Sequence, residues 1–133
     1  MKHVLVVEDD PHNAAVFRKI LEKRAGCRVT VTDSADDLLR YATDGGIDLV
    51  IMDVSLHNAR WRGQPVNGVD LCRMLRADPR CSRIPVVIAT AHAMRGDAER
   101  LLEESGANDY IPKPILDHDA FVARILGLLA EAA

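Results

Sequence analysis

The sequence predicts an α/β fold, a doubly wound parallel sheet of five strands with five helices. Three observations carry that expectation. Short apolar runs rich in Val and Ile recur at 3–7 (HVLVV), 28–32 (RVTVT), 48–52 (DLVIM), 85–90 (PVVIAT) and 109–111 (DYI). Those at 4–7, 49–52 and 86–89 are continuous rather than alternating, which suits strands covered on both faces. Segments of helical period separate the runs, and strand–helix repeats with right-handed crossovers wind into a single parallel sheet.

Each helix carries its own start and stop. In the first, Pro11 and the acids before it mark the beginning, Val16, Phe17, Ile20 and Leu21 face inward, and Gly26 ends it. Ser34 caps the second, whose Leu38, Leu39 and Ala42 face inward and which stops at Gly45 and Gly46. The third carries Val69, Cys72 and Leu75 and stops near Asp78–Pro79. The fourth spans roughly 93–105, with Met94, Ala98, Leu101 and Leu102 inward and Gly106 at its end. The fifth runs from about Asp117 to Leu129. Its Phe121, Val122, Ile125, Leu126, Leu128 and Leu129 cover an arc wider than one core-facing stripe needs. Either the helix is deeply seated, or it exposes a strip for a partner or a second copy, as in a homodimer.

Composition narrows the class. At 133 residues the chain is sized for one domain with a real core, and the sequence is read as one domain over 1–133. A net charge of −3 gives no reason to expect a nucleic-acid surface. The three cysteines, Cys27, Cys72 and Cys81, are odd in number and have no CxxC spacing, which argues against a disulfide framework or structural zinc and fits a reducing cytosol. The apolar run at 4–7 is too short for a signal-peptide core, and nothing approaches the roughly 20 apolar residues of a membrane span. A cytoplasmic protein with no membrane partner is expected.

The chemistry concentrates where strands end. The first strand runs straight into Glu8, Asp9 and Asp10; the third delivers Asp53, the fourth Thr90 and Ala91, and the fifth is followed by Lys113 and Pro114. In a parallel sheet these ends share one edge, and ligands bind there, at the switch in strand order. Like charges about 4 Å apart repel by roughly 4 kcal/mol at an effective dielectric near 20, so the acids need an offset. Oxygen-only ligands suit a hard cation, and magnesium in particular leaves room for a phosphate oxygen. A carboxylate can itself attack phosphorus to give an aspartyl phosphate, stabilised by a metal, a lysine and a hydroxyl donor.

Taken together, the stretches VVEDD, DLVIMDV, VVIATAHA and GANDYIPKP resemble the receiver domain of two-component response regulators, over Lys2 to about Leu129. VEDDPHN and TAHAMRGD look most like stand-alone, single-domain members. The resemblance implies a CheY-like sheet of strand order 2-1-3-4-5 and gives each residue an expected role. Asp53 aligns with the phosphoacceptor, Asp9 with a direct Mg2+ ligand, and Glu8 with an acid that binds the ion through water. Ser55 would offer its backbone carbonyl to the metal. Thr90 matches the hydroxyl that follows the phosphoryl group, Lys113 its ammonium partner, and Tyr110 the aromatic that moves with Thr90. The Lys113–Pro114 bond is typically cis in the family, and Ser55 and His92 lie where the family tunes phosphoryl lifetime. A sensor histidine kinase or phosphotransfer protein would donate the phosphoryl group. The face of the fourth helix, fifth strand and fifth helix would then switch for an effector protein. The domain is not expected to be an enzyme beyond promoting its own phosphorylation and dephosphorylation.

The chain departs from the family pattern in one place. The loop VSLHNARWRGQPVNG (54–68) is several residues longer than usual, has His57 where a proline is expected, and carries Arg60, Trp61 and Arg62. Blander readings stand beside the sharp ones. Glu8 and Asp9 alone would pass for helix N-terminal acids, Asp10 for a cap, Thr90 for a helix cap, Lys113 for a solvated lysine and Tyr110 for sheet-edge packing. Trp61 reads as a partly exposed loop residue on which the flanking arginines can stack. A small-molecule phosphatase would want a second acid where Ser55 stands. A receiver-like interaction module that is never phosphorylated is the remaining alternative.

Overall fold

The computed structural model describes residues 1–56, 59–91 and 97–131. Five parallel strands, β1 (His3–Val7), β2 (Arg28–Thr32), β3 (Leu49–Asp53), β6 (Val86–Thr90) and β7 (Asp109–Pro112), form one sheet in the order β2-β1-β3-β6-β7. The order reverses beside β1, so the ends of β1 and β3 flank the switch point where α/β sheets take ligands. Two further strands, β4 (Arg60–Trp61) and β5 (Gln64–Pro65), make a small antiparallel hairpin inside the long loop.

Helices cover both faces. Leu5, Val7, Val50, Met52 and Ile88 point to one side, onto Leu38 and Ala42 of α2 (Ala35–Thr43) and Leu71, Cys72 and Leu75 of α3 (Gly68–Ala77). Leu101 and Leu102 of α4 (Asp97–Ser105) pack on this side, partly buried. Val4, Val6, Leu49, Ile51 and Val87 point to the other side, onto Phe17, Ile20 and Leu21 of α1 (Pro11–Lys23) and Phe121, Ile125 and Leu129 of α5 (His118–Glu131). The period of two within each apolar strand thus feeds two separate cores. Phe17 and Phe121 close the second core, with ring centroids 5.9 Å apart.

The helix starts follow the predicted chemistry. Asp10 accepts from the His12 backbone N–H at 2.8 Å and Ser34 from that of Asp37 at 3.2 Å. Asn67 and Asp70 form a reciprocal capping box at the start of α3. On α5, Leu126 is exposed and Val122 and Leu128 are half-buried, so the helix seats one stripe rather than its whole circumference. The expected start of α4 at 93, with Met94, and the expectations placed on His57 and His92 lie outside the described residues. Among those described, no helix is long and apolar enough to cross a membrane.

Candidate functional site

Sheet geometry brings the acids together. β1 and β3 are hydrogen-bonded neighbours, with Val7 beside Met52, so the residues that follow, Glu8 and Asp53, emerge side by side. Both are buried, and Asp9 is half-buried. Glu8, Asp9 and Asp53 each offer a carboxylate oxygen within 4.8 Å of the other two. A pocket of about 280 Å³ opens over them, lined also by Asp10, Asn13, Ser55, Ala91 and Lys113.

Asp53 is fixed from several directions. It closes β3 beside Ala89, and the next peptide continues the ladder through Val54 N–H to Ala89 C=O at 3.0 Å. Its Oδ1 accepts from the Ser55 backbone N–H at 3.2 Å and from Lys113 Nζ at 2.9 Å. Gly68 then presses the start of α3 onto the same backbone. A Cβ there would stand 2.1 Å from the Asp53 carbonyl oxygen, so only glycine permits this approach. The sequence reading missed this function of Gly68, whose only signal is a glycine opening a helix.

Lys113 follows β7 across a cis Lys113–Pro114 bond and donates its backbone N–H to Thr90 C=O at 2.9 Å. Its ammonium reaches Glu8 Oε1 at 3.4 Å as well as Asp53. Burial pulls the Lys113 pKa down, but the hydrogen bond and charge of Asp53, with Glu8 behind it, outweigh that and hold it above the ordinary value. Thr90 is fully buried at the end of β6, next to Pro112. Tyr110, half-buried on β7, packs against the α2–α3–α4 side. The structure therefore gathers Glu8, Asp9, Asp53, Ser55 and Lys113 around one pocket, sets Thr90 on the neighbouring strand end, and keeps Tyr110 two strand positions back. Asp10 belongs to the helix cap.

One ammonium does not balance three carboxylates. Like charges no more than 4.8 Å apart repel by about 3 kcal/mol or more at an effective dielectric near 20. Glu8 shows the strain most clearly. Its Oε2 is buried with no hydrogen-bond partner among the described residues. Burial first, then the adjacent Asp53 carboxyl, raises the Glu8 pKa from 4.5 to about 7, with Asn13 and Lys113 offsetting only part of the rise. Without a cation, a proton relieves this crowding. A dication bound by oxygen ligands relieves it more fully, and the pocket offers no histidine or cysteine that would favour zinc. The residues present fit a magnesium ion.

A doubly wound sheet with an acidic, lysine-bridged pocket at its switch point defines an α/β domain built around a carboxylate site rather than a nucleotide fold with a glycine-rich loop. The chain belongs to the response regulator receiver domain family, whose model matches residues 4–126. It is 34% identical over 131 residues to the polar-differentiation response regulator DivK of Brucella ovis, covering 98% of each chain. Among solved structures it resembles the receiver domain of a sensor histidine kinase from Pseudomonas aeruginosa, with a TM-score of 0.80 and 29% identity over 97% of this chain and 98% of that one. That structure holds a magnesium ion coordinated in its active site cleft. A putative response regulator from Chloroflexus aurantiacus superposes with a TM-score of 0.82 at 28% identity, covering 97% of this chain and 98% of that one.

Proposed function

We propose that residues 1–133 act as one phosphorylatable receiver domain in the cytoplasm, with Asp53 as the acceptor. The observation that carries this reading is the buried, orphaned Glu8 Oε2 beside an Asp53 carboxylate that is held by Lys113. Glu8, Asp9, Asp53 and the Ser55 carbonyl would hold Mg2+. Bound there, the ion supplies positive charge to the acids and to the oxygens of an incoming phosphoryl group.

The chain's own residues account for the rest. An Asp53 oxygen forms the new bond to phosphorus as the bond from phosphorus to the donor imidazole nitrogen breaks, and that nitrogen leaves with the electron pair of the broken bond. Lys113, already on Asp53 and kept charged, follows the transferred group. Thr90 supplies a hydroxyl from the adjacent strand end, and Ala91 is small enough to leave the acceptor open. A histidine kinase or phosphotransfer protein is the donor class. Movement of Thr90 and Tyr110 biases the face formed by α4, β7 and α5, which an effector protein reads. Beyond its own phosphorylation and dephosphorylation the domain turns over no substrate.

Intact-mass measurement after acetyl phosphate treatment tests this. One added phosphoryl group is expected on the wild type with magnesium, little without the metal, and none on Asp53→Asn. An unmodified wild type, or equal uptake by Asp53→Asn, overturns the assignment.

A further inference from the structure

Within the long loop that separates this chain from the family pattern, residues 59–66 form a built platform. Arg62 and Gly63 both take positive φ, 52° and 81°, which closes a two-residue hairpin turn between Trp61 and Gln64. A further rung joins Val66 N–H to Ala59 C=O at 3.0 Å. Leu56 and Ala59 are buried in the core beneath, and Val66 and Trp61 pack on it. The hairpin is therefore anchored, and its Trp61 forms one wall of an open groove of about 610 Å³ with Leu39 of α2 and Met74 and Ala77 of α3.

On its hairpin side this groove adjoins positive charge. Its single lining acid, Asp78, is occupied by Arg80 through contacts of 2.8 and 3.1 Å. Arg62 lies over the Trp61 ring, 5.4 Å from its centroid, and Arg60 donates to Gly63 C=O at the hairpin tip. Both arginines are exposed, and neither pairs with a carboxylate among the described residues. An apolar wall with Arg62 over its indole and Arg60 at the adjoining hairpin tip complements a segment with an apolar side chain flanked by carboxylates. None of the residues around Asp53 lines this groove.

The geometry points to a second docking surface, for an acidic peptide segment of a protein partner, with Trp61 as the apolar anchor and, as the basic contacts, Arg62 over the indole and Arg60 at the hairpin tip. Binding there is independent of phosphorylation and is tested on the unmodified chain. Random peptides displayed on phage are selected against the whole protein, and the enriched peptides are synthesised. They should carry Asp or Glu around a Leu, Phe or Trp. They should saturably shift the emission of Trp61, the sole tryptophan, and bind more weakly as salt rises. The exposed double variant Arg60→Glu/Arg62→Glu, checked for native folding by circular dichroism, should weaken them by roughly tenfold or more. Trp61→Ala, read by anisotropy of a labelled peptide, should weaken them too. The proposal is overturned if selection enriches nothing, if the binders carry no acidic excess, or if the double variant binds them unchanged. Displacement of the peptides by oligothymidylate would also overturn it, by assigning the arginines to nucleic acid.

Discussion

At the N-terminal ends of the strands, His3 N–H donates to Asp48 Oδ2 at 2.8 Å, and Val86 N–H donates to Asn108 Oδ1 at 2.9 Å. The Arg76 guanidinium reaches from α3 to the carbonyls of Ser82, Ile84 and Gly106 and to Asn108 Oδ1. At the C-terminal ends, three carboxylate oxygens crowd within 4.8 Å, one lysine bridges two of the acids, and Glu8 Oε2 goes unanswered. The same sheet thus satisfies its polar groups with protein at one end and leaves them short at the other. Buried polar groups in folded proteins are nearly always paired, so the end that breaks the rule is where an outside partner belongs.

The largest test of this contrast is Gly68→Ala. The added Cβ would fall on the Asp53 carbonyl, and backbone cannot retreat as a flexible side chain can. Unfolding in urea should show a loss of about 3 kcal/mol. Phosphoryl uptake should fall with it, because the backbone of the proposed acceptor is what shifts. A loss below about 1 kcal/mol would mean that this edge has slack and that the crowded acids are not held in place. Arg76→Ala probes the opposite end. Four hydrogen bonds vanish there, partly exposed, for a loss of about 2 kcal/mol, while magnesium affinity measured by calorimetry should not change.

The two ends should also respond to pH with opposite sign. In metal-free protein the folded Glu8 binds its proton more tightly than the unfolded chain does, with a pKa near 7 against 4.5. Stability should therefore fall as pH rises through that window, by about 3 kcal/mol. His3, on the other end, has its pKa lowered from 6.5, by burial first and then by Arg28. The unfolded chain takes up that proton more readily, so this contribution is lost as pH falls below 6.5. Urea unfolding in chelator from about pH 5 to about 7.5, repeated on Glu8→Gln and His3→Gln, separates the two. Glu8→Gln should remove the decline at rising pH, and His3→Gln the decline at falling pH. Slopes of the same sign at both ends would end the contrast.

Much of this was legible from sequence because it rests on local pattern. Continuous Val and Ile runs mark doubly covered strands, and an acid placed directly after such a run must lie at a strand end. That logic reaches Glu8, Asp9, Asp53 and Lys113 from the sequence alone, and Asp10 is open to reading as a cap for the same local reason. What escaped was set by contacts between distant segments. Nothing near Gly68 in the chain announces that Asp53 fills the space where its Cβ would be. Arg76 reads as an ordinary helix cation until Ser82, Ile84 and Gly106 are folded around it. The hairpin at 60–65 was missed because its turn uses Arg62 at positive φ, a residue that carries no turn signal of its own.

Trp61 supplies the smallest expected effect and the sharpest boundary to the comparison. It follows Asp53 by eight positions, so proximity in sequence suggests that it should report on the acidic pocket. The fold separates them. The chain leaves Asp53, buries Leu56 and Ala59 in the α2–α3 core, and turns the indole onto Leu39, Met74 and Ala77, with none of the acids in that groove. Magnesium neutralising Glu8, Asp9 and Asp53 in place changes charge within the pocket without moving the backbone that Gly68 clamps. Trp61 emission should therefore stay within the scatter of a buffer control through a magnesium titration that calorimetry shows to saturate. A large shift on metal binding would show that the pocket and the α2–α3 groove move as one unit. The deficit at the C-terminal edge would then extend beyond the residues that line it.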